Sequence, residues 1–588
     1  MILQALCGYY DRLAENGNAA MPGWAVTPVA WCVTLDLDGK LAGDVISLVD
    51  AKKPQQMLTP QQPKRSSGVD AAFLCDNTGY FFAADEKRGQ QKREASRELH
   101  REVLGGVDDD GAAAVLKFFD ADVQELSDKL DAGNIVFRLE GSEGYIHNRH
   151  AVKSAWVRHY EKLVTTFEKG QCLVTGDIDI PISRIHGNIG GFGQDKPTVV
   201  GFNQDSFKSY NLTRVIKKGK KEEDYNGTNA PVSVIAEHKY TTALNALIAD
   251  SKHVVRMADT KVLFWAESEA RNEEETFSAL FGGHWDDGKS DERILDEPAA
   301  KKIQSLLSSF ESGKIPDTTG FDKDVTFHIL GISAAKTRLV IRFFHSDTFG
   351  NLLERIGQHY KDIAIIKSER DRDWLTKPID ILRETAVQQK YDNIPPTLEG
   401  ALIRSILDES AYPYSLYNAM LTRVRADKNV NRTRAGVVKG FLNRTARKNK
   451  QEETMTVALN LEERNRGYLL GRLIAVFEKA QQEALGNVNS SVLDKYLNTA
   501  LAAPQMVFTS MLLLHKKHLA KSDFNKGRAV YFNQLVGSIM EEFDSTGFPQ
   551  TLNAEDQGRF IVGYYHQNHD LWKKKETSNT TTEETNNV

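Results

Sequence analysis

Histidine pairs are the first residues of this sequence that could carry chemistry, since two histidines three residues apart on a helix can hold one metal ion. Three such pairs occur: His147 with His150, His515 with His518, and His566 with His569. His569 and Asp570 also resemble the His-Asp pair of metal-dependent phosphohydrolases. A working site requires further ligands at an ordered spacing, and the sequence supplies none beside these pairs. We therefore predict no metal site and no cofactor.

The cysteines offer a second kind of chemistry, because Cys75 stands directly beside Asp76, a thiol next to a carboxylate. The chain has four cysteines, which are scattered without a CxxC pair. This pattern is typical of reduced, buried thiols in a cytoplasmic protein. The chain also lacks the HExxH and GxSxG patterns of metalloproteases and serine hydrolases. We expect a protein that is not an enzyme.

A cluster of hydrogen-bond donors precedes the cysteine. In residues 64–68 (KRSSG), two cations and two hydroxyls lie next to a glycine that permits close approach of a ligand to the backbone. Such a set suits phosphate or base-edge contacts, although an ordinary solvated loop has the same composition. Asn77 could read an adenine edge, because its amide both donates and accepts, or it could cap a turn.

The distribution of charge favours a polyanionic partner, although the formal net charge is −5. Residues 421–450 carry ten Lys or Arg and one acid, and residues 207–221 carry six Lys or Arg and no acid. Residues 266–298 hold eleven acids and three bases. Local potential concentrates a phosphate backbone, so this segregation indicates nucleic-acid binding. A single run of this kind is also typical of a solvated helix face.

Length and composition indicate a folded protein of several domains. The chain has 588 residues, of which 40% are hydrophobic and 26% charged, and this length predicts roughly two to four domains. No apolar run reaches transmembrane length, and the first residues, MILQALCGYYDRL, lack the features of a signal peptide. We expect a soluble, cytoplasmic protein with no membrane partner.

The first two thirds of the chain mix strand and helix patterns, which predicts an α+β domain over residues 1–392 with antiparallel and mixed sheets and helical insertions. Strands are expected at 30–48 (as a hairpin), 134–141, 171–185, 198–203, 261–268, 325–333 and 338–344. Helices are expected at 111–131, 151–170 and 241–253. The glycine-rich stretch 186–203 is interpreted as a mobile hairpin tip between two strands.

Pro395 and Pro396 separate this region from a C-terminal part of different character. Long amphipathic segments follow the prolines, with almost no strand pattern. We predict an all-α helical bundle over residues 397–572. The polar, low-complexity residues 573–588 are expected to be a disordered tail.

Several blocks of sequence together resemble the large subunit of the type I-C CRISPR Cascade complex, the Csd-one or Dvulg type of CRISPR-associated protein. They lie in the family's order along nearly the whole chain: PKRSSGVDAAFLCDNTGYFF (63–82), NAPVSVIAEHKYTTALNALI (229–248), FHILGISAAKTRLVIRFF (327–344), PPTLEGALIRSIL (395–407), RGYLLGRLIAVFEKAQ (466–481) and GRFIVGYYHQNHD (558–570). No single block is specific, whereas the ordered set is.

The resemblance implies a non-catalytic subunit of an RNA-guided surveillance complex. Such a subunit would recognise the protospacer-adjacent motif in double-stranded DNA, promote duplex opening and R-loop formation, hold the displaced strand, and recruit a helicase-nuclease. The implied partners are crRNA, target DNA, and the backbone, crRNA-processing and small subunits of the complex. Family members also produce the small subunit by internal translation, and Met455 is a plausible start for it here.

The resemblance assigns two sets of candidate DNA contacts. The set for the motif is Lys64, Arg65, Ser66, Asn77, Gln194, Lys196, Lys217 and Lys218. The set for the displaced strand is Arg423, Arg425, Arg432, Arg434, Arg444 and Arg447. Two other functions stay open at this point: a metal-dependent nuclease that uses His566, His569 and Asp570, and a scaffold that binds only proteins.

Overall fold

A computed structural model describes most of the chain. The described residues are 2–51, 53–63, 68–85, 87–122, 130, 132–193, 195–202, 206, 215–218, 221–224, 226–257, 259–268, 271–281, 305–306, 309, 321–367, 376–486, 488–544 and 547–573. The chain divides into two compact units. The first unit comprises Met1–Asp250 with Ala334–Val340, and the second comprises Ser251–Ser333 with Ile341–Val588. The boundary predicted near residue 392 stays a prediction about domain organisation.

The first unit contains a six-stranded mixed sheet in which strands β3, β4, β1, β6 and β5 are neighbours in that order and β2 pairs with β1. The pairing of β1 with β6 is parallel, and the other pairings are antiparallel. Its strands are β1 (Trp24–Leu35), β2 (Ile46–Ser47), β3 (Val49–Asp50), β4 (Lys53–Pro60), β5 (Cys75–Asn77) and β6 (Asn134–Leu139). Two small antiparallel pairs are β7 (Lys169–Gly170) with β8 (Ile180–Pro181), and β9 (Val215–Lys218) with β10 (Lys221–Asp224).

The helices of the first unit cover this sheet and each other. They are α1 (Ile2–Glu15), α2 (Thr78–Phe81), α3 (Gly89–Leu104), α4 (Asp110–Asp120), α5 (His150–Thr165) and α6 (Val234–Ala249). An aromatic core that includes Phe73, Phe81, Phe118 and Phe137 packs between the sheet and α3 to α5. A separate contact joins α1 to α6, and α6 is the helix that supports the candidate site described below.

The second unit joins a four-stranded sheet to a large helical assembly. The strands follow chain order: β11 (Val254–Met257), β12 (Thr260–Ala266), β13 (Thr326–Ala335) and β14 (Arg338–Thr348). The helices are α7 (Arg271–Phe281), α8 (Phe349–Ile363), α9 (Pro378–Thr385), α10 (Pro396–Leu407), α11 (Tyr414–Asp427), α12 (Arg432–Lys448), α13 (Arg466–Leu485), α14 (Val492–Ala502), α15 (Phe508–Leu519), α16 (Lys526–Glu541) and α17 (Ala554–Trp572). One hydrophobic core runs through this unit from Val255 to Tyr565.

The closest packing in the second unit joins α13 and α17. Both helices carry glycines at the contact, and these glycines let the two backbones approach each other. A Cβ atom on Gly471 would meet the Phe560 carbonyl oxygen, and one on Gly563 would meet the Tyr468 carbonyl oxygen. The side chain of Asn465 caps α13 by accepting from the Gly467 backbone N–H at 2.9 Å. The helical pair is therefore held by backbone complementarity on both sides.

The predicted α+β class is confirmed, with sheets in the first half of the chain and helices in the second. Pro396 occupies the first position of α10, where its missing N–H leaves no helical bond unmade. The predicted strand over 171–185 is wrong: only Ile180–Pro181 pairs with another strand, and Leu173 and Ile178 are exposed. Among the described residues, no helix has both the length and the apolar character needed to cross a lipid bilayer.

A buried carboxyl group makes the second unit sensitive to pH. Glu399 in α10 is fully buried, and burial, with a smaller contribution from Asp259, raises the pKa of its carboxyl to about 8. In the unfolded chain a glutamate titrates near pH 4.3, at about the model-peptide value. Between about pH 5 and 8 the folded state therefore keeps a proton that the unfolded chain releases, and this contribution to stability is lost as the pH rises.

We expect Glu399→Gln, which is neutral at every pH, to remove that contribution. The measurement is the free energy of unfolding from urea titrations between about pH 5 and 8, with the difference between wild type and variant plotted against pH. The exposed Glu354 provides a matched control, Glu354→Gln, that should leave the slope unchanged. Parallel curves for wild type and Glu399→Gln would contradict the assignment.

Candidate nucleic-acid interface

The predicted motif-reading stretch begins at the edge strand of the first sheet. Lys64, Arg65 and Ser66 lie outside the described residues. Just before them, the Gln62 side chain donates from Nε2 to the Cys75 carbonyl oxygen at 2.8 Å and therefore fixes the start of this stretch to β5.

Asn77 ends β5 and caps the short helix α2. Its Oδ1 accepts from the Gly79 backbone N–H at 3.0 Å, which is the turn-capping alternative considered for this residue. Its amide nitrogen has no hydrogen bond to any residue that the structure describes, and the side chain is only half-buried. Asn77 can therefore cap the helix with its oxygen and still offer two N–H donors to a ligand.

Cys75 and Asp76 have structural surroundings. Both are fully buried, and β5 pairs with β6 at these residues. The Asp76 carboxylate accepts from the Ala72 N–H at 2.9 Å and from its neighbour's N–H, that of Asn77, at 2.8 Å. The interpretation of this pair as a packed strand is confirmed, and the carboxylate organises the turn that precedes β5.

The glycine-rich stretch forms a hairpin over residues 188–198, as predicted. Asn188 and Thr198 form a bridge at its base, and the Ile189 N–H donates to the Pro197 carbonyl oxygen at 2.8 Å. Its tip contains Gln194, which lies outside the described residues, and Lys196, which is exposed. The 188–198 hairpin therefore presents one of the predicted contacts at its tip.

Helix α6 supports the base of the 188–198 hairpin with a row of polar side chains. Glu237 accepts from the Gly187 N–H, and Asn245 accepts from the Gly190 N–H at 2.8 Å. Asn245 also donates to the Asn188 carbonyl oxygen at 3.3 Å. These bonds occupy backbone groups of the hairpin base that no regular sheet satisfies, so α6 fixes the position of the tip.

A second support comes from the segment 334–340, which belongs to the same unit. The Thr198 N–H donates to the Thr337 carbonyl oxygen, and the Leu339 N–H donates to the Thr198 carbonyl oxygen, each at 3.1 Å. Thr198 and Arg338 thus form a parallel bridge. The hairpin is held on two sides, and such a rigid loop suits the presentation of a base- or phosphate-contacting side chain.

The remaining motif candidates, Lys217 and Lys218, lie in the hairpin of β9 and β10. The register pairs Lys218 with Lys221 and Lys217 with Glu222. Only the backbone of these strands is described, so the roles of the two lysines stay predictions.

Arg444, predicted to line a groove for the displaced strand, is fully buried. Its Nε donates to the Asp362 carboxylate at 2.7 Å, and its Nη1 donates to the carbonyl oxygens of Ser405 and Ser410 at 2.8 and 3.1 Å. Arg447 pairs with the same carboxylate at 2.9 Å. Arg444 therefore stabilises the interior of the helical assembly. The predicted contact with the displaced DNA strand is corrected to this structural role.

Arg434 is corrected for the same reason. It is 1% exposed and forms ion pairs with Glu384 and Asp427, each at 2.7 Å. Arg423 also pairs with Asp427, one turn away on α11. Asp427, the single acid inside the basic run, and Glu384, which lies outside it, thus neutralise part of its charge.

Arg432 keeps the character expected of a DNA contact. It begins α12, is partly exposed, and has no ion pair or hydrogen bond to the part of the chain that the structure describes. Its neighbour in the predicted set, Arg425, is bonded to Gln557. Arg432 lines a cavity of about 230 Å³ together with Tyr360, Lys367, Thr376 and Thr433.

The sequence reasoning missed a further basic surface at the end of α15. Residues 516–528 carry five Lys or Arg and one acid, a signal visible in the run KKHLAKSDFNKGR. Lys516, Lys517 and Lys526 are exposed. The run was interpreted only as part of an amphipathic helix, because its cations are interleaved with leucines and histidines.

The histidine pair at the end of the chain has structural partners. His566 is fully buried, its Nδ1 is hydrogen-bonded to the Tyr468 hydroxyl at 2.9 Å, and burial lowers its pKa to about 3. His569 is hydrogen-bonded through Nε2 to the Lys367 carbonyl oxygen. Asp570 is exposed. The three groups are therefore not brought together as a site.

In the other two pairs, burial lowers the pKa of His147 and of His515 to about 4 each. Across the described ranges, no group of three or more His, Cys, Asp or Glu side chains is placed to hold a metal ion. His147 and His515 are neutral core residues, whereas His150 is exposed.

Residues 283–290, GHWDDGKS, match the letters of the phosphate-loop pattern GxxxxGK(S/T), which the sequence reasoning overlooked. A phosphate loop follows a strand and opens a helix, whereas the element before this stretch is helix α7. The stretch also carries two acids, Asp286 and Asp287, between its glycines, and it lies outside the described residues. The match to the sequence pattern therefore does not by itself indicate nucleotide binding.

Comparison with known proteins identifies the class to which this fold and these basic surfaces belong. The family described as CRISPR-associated protein (Cas_Csd1) matches residues 6–572. No curated protein sequence matches the chain.

The match covers nearly the whole chain, so the protein belongs to the Cas_Csd1 family, which corresponds to the large subunit of the type I-C Cascade. Membership implies a role in a CRISPR complex with other Cas proteins and nucleic acid.

Proposed function

We propose that this chain is the non-catalytic subunit that recognises the protospacer-adjacent motif for a type I-C surveillance complex. It would bind the motif in double-stranded DNA, promote opening of the duplex, hold the displaced strand and recruit a helicase-nuclease. Guide pairing reads the target in such complexes, while protein side chains read only the short motif. A few well-placed contacts therefore suffice for this function.

The observation that carries the proposal is the two-sided support of the 188–198 hairpin. A loop tip that reads DNA must keep its position when the duplex arrives, because each misplaced contact loses affinity. The bonds from α6 and from Thr337 hold the hairpin base. Lys196 at the tip remains exposed. This combination favours contact with DNA over a purely structural loop.

The displaced strand would follow the second unit. Arg432 and the lysines at the end of α15 are the exposed cations that support this role. A basic surface that tracks a single strand needs several such groups, since each contributes a modest, salt-dependent attraction.

The non-catalytic character is also part of the proposal. The nuclease alternative requires His566, His569 and Asp570 to converge on one ion. His566 is buried against Tyr468, and His569 is bonded to a backbone carbonyl. Their geometry favours a structural role.

The direct test is target binding by the complex assembled with crRNA and the other subunits. We expect the double variant Lys64→Ala/Arg65→Ala to lose about tenfold or more in affinity for a target with its motif, because each base contact contributes roughly 1–3 kcal/mol. Asn77→Asp keeps the capping oxygen and removes both amide donors, so it should fold normally and also weaken motif preference. Binding is measured on a library of targets with randomised motif positions.

The exposed Lys40 gives a control variant, Lys40→Ala, that should bind like wild type. Wild-type affinity and unchanged motif preference in all three variants would overturn the assignment and favour the scaffold. Incubation of the chain with labelled DNA and Mg²⁺ or Mn²⁺ should give no cleavage. Cleavage that is lost in His566→Ala would establish the nuclease instead.

A further inference from the structure

Two separate loops of the first unit bring three exposed cations to one place. Lys196 belongs to the 188–198 hairpin, whereas Lys336 lies in the turn between β13 and β14 and Arg338 is the first residue of β14. The motif and displaced-strand assignments include only the first of the three. We call these residues the two-loop cation surface.

Backbone pairing fixes the relation between the two loops. Thr198 and Arg338 form a parallel bridge, with hydrogen bonds of 3.1 Å to the residues on both sides of Arg338. Lys196 and Lys336 each stand two residues before this bridge on their own segment. Each lysine therefore lies within two residues of the same backbone contact between the two segments. The two ammonium groups therefore project from adjacent backbone segments.

Neither lysine is neutralised by a residue that the structure describes. Lys196 and Lys336 have no ion pair or hydrogen bond with any residue in the described ranges. The acid beside them in sequence, Asp195, forms no ion pair with that part of the chain either. Two unpaired cations on segments joined at one bridge repel each other. A bound polyanion would supply the counter-charge that Lys196 and Lys336 lack.

The backbone of the turn adds a cost that points in the same direction. Lys336 has a φ of 57°, in the left-handed region where a residue other than glycine is strained. Glycine or asparagine would fit this position with less strain. Both the backbone conformation at position 336 and the positive charge nearby therefore disfavour a lysine there.

We propose that the two-loop cation surface binds backbone phosphates of the double-stranded DNA that carries the protospacer-adjacent motif. This inference rests on the proposed function and assigns Lys336 and Arg338 to it. Lysine is a compact point charge that suits phosphate, whereas base readout depends on the paired donors and acceptors of arginine, asparagine or glutamine side chains. The surface therefore sets the position of the duplex, and the motif is read by other residues.

Phosphate contacts have a distinct signature in binding experiments. Each contact that releases a counterion contributes about 0.9 to the slope of log affinity against log salt concentration. We expect Lys196→Ala/Lys336→Ala, in the complex assembled with crRNA and the other subunits, to lower the magnitude of this slope by about 2. Its affinity should fall by the same factor for targets with and without the motif, so that motif preference is unchanged.

The exposed Lys162 on α5 provides the matched control, since Lys162→Ala removes a cation from the same unit and should leave the slope unchanged. An unchanged slope in the double variant would overturn the inference. Failure of the double variant to assemble with crRNA or another subunit would also overturn it, because the surface would then bind that component.

A different result would contradict the proposed function, namely full motif preference in the Lys64→Ala/Arg65→Ala variant. The two outcomes are measured on the same targets but on different readouts, the salt slope and the preference ratio. The phosphate-binding surface and the motif-recognition function can therefore be disproved independently of each other.

Discussion

Replacing Asp362 by alanine is expected to destabilise the second unit by about 3–5 kcal/mol. The side chain of Asp362 is 2% exposed and accepts from Arg444 at 2.7 Å, from Arg447 at 2.9 Å and from Gln358 at 2.7 Å. Arg444 is itself fully buried. One carboxylate thus compensates a guanidinium group that has no access to water.

The size of the effect follows from what the variant leaves behind. Without the carboxylate, Arg444 keeps only the two carbonyl oxygens of Ser405 and Ser410 and its position over the Tyr412 ring, 4.0 Å from the ring centre. None of these groups carries a negative charge. A buried cation without a counter-charge is far less stable than a paired one, because the low-dielectric interior does not replace its hydration.

The measurement is chemical unfolding followed by far-ultraviolet circular dichroism. Glu483→Ala serves as the control, because Glu483 forms an ion pair with Arg528 at 2.9 Å in which both side chains are partly exposed. Exposed pairs contribute about 1 kcal/mol or less. Equal losses in the two variants would contradict the special role of Asp362.

Gly471→Ala is expected to destabilise the second unit by about 3 kcal/mol, at the upper end of the range for overpacked cores. The new methyl group would meet the Phe560 carbonyl oxygen and, at 2.7 Å, the Tyr564 nitrogen. Both are backbone atoms of α17, so no side chain can rotate away. The helices α13 and α17 would have to separate, and the contacts along their whole length would weaken.

A glycine elsewhere in the helical assembly provides the control for Gly471→Ala. Gly537 lies inside α16, and a Cβ atom there would meet nothing within 4 Å. Gly537→Ala should therefore stabilise the unit by up to about 1 kcal/mol, since alanine favours the helix. Thermal unfolding should give a lower Tm for Gly471→Ala and a higher Tm for Gly537→Ala. Tm shifts in the same direction for both variants would contradict the packing explanation.

The helical half of the fold was predictable because its signals are local. Apolar residues at helical spacing and a proline at a helix start each act within a few residues, and Pro396 indeed begins α10. The strand error at 171–185 has the opposite origin. Its apolar residues alternate, but the loop places Leu173 and Ile178 at the surface, and no strand partner reaches them.

The candidate site was less predictable, because its determinants are distant in the sequence. The basic run around Arg444 looked uniform, and its neutralising acid, Asp362, lies 82 residues earlier. The support of the hairpin by Asn245 spans 55 residues. Lys336 lies in one of the family blocks, yet only the bridge from Thr198 to Arg338 shows that its segment meets the segment of Lys196.

The glycine-mediated contact between α13 and α17 also determines how the second unit moves. Two helices whose backbones touch cannot open one turn at a time, because any local fraying must first separate the pair. Their amide hydrogens are then exposed to solvent only when the unit unfolds as a whole. The cations at the end of α15 and at Arg432 therefore lie around a core that is expected to unfold as one cooperative block.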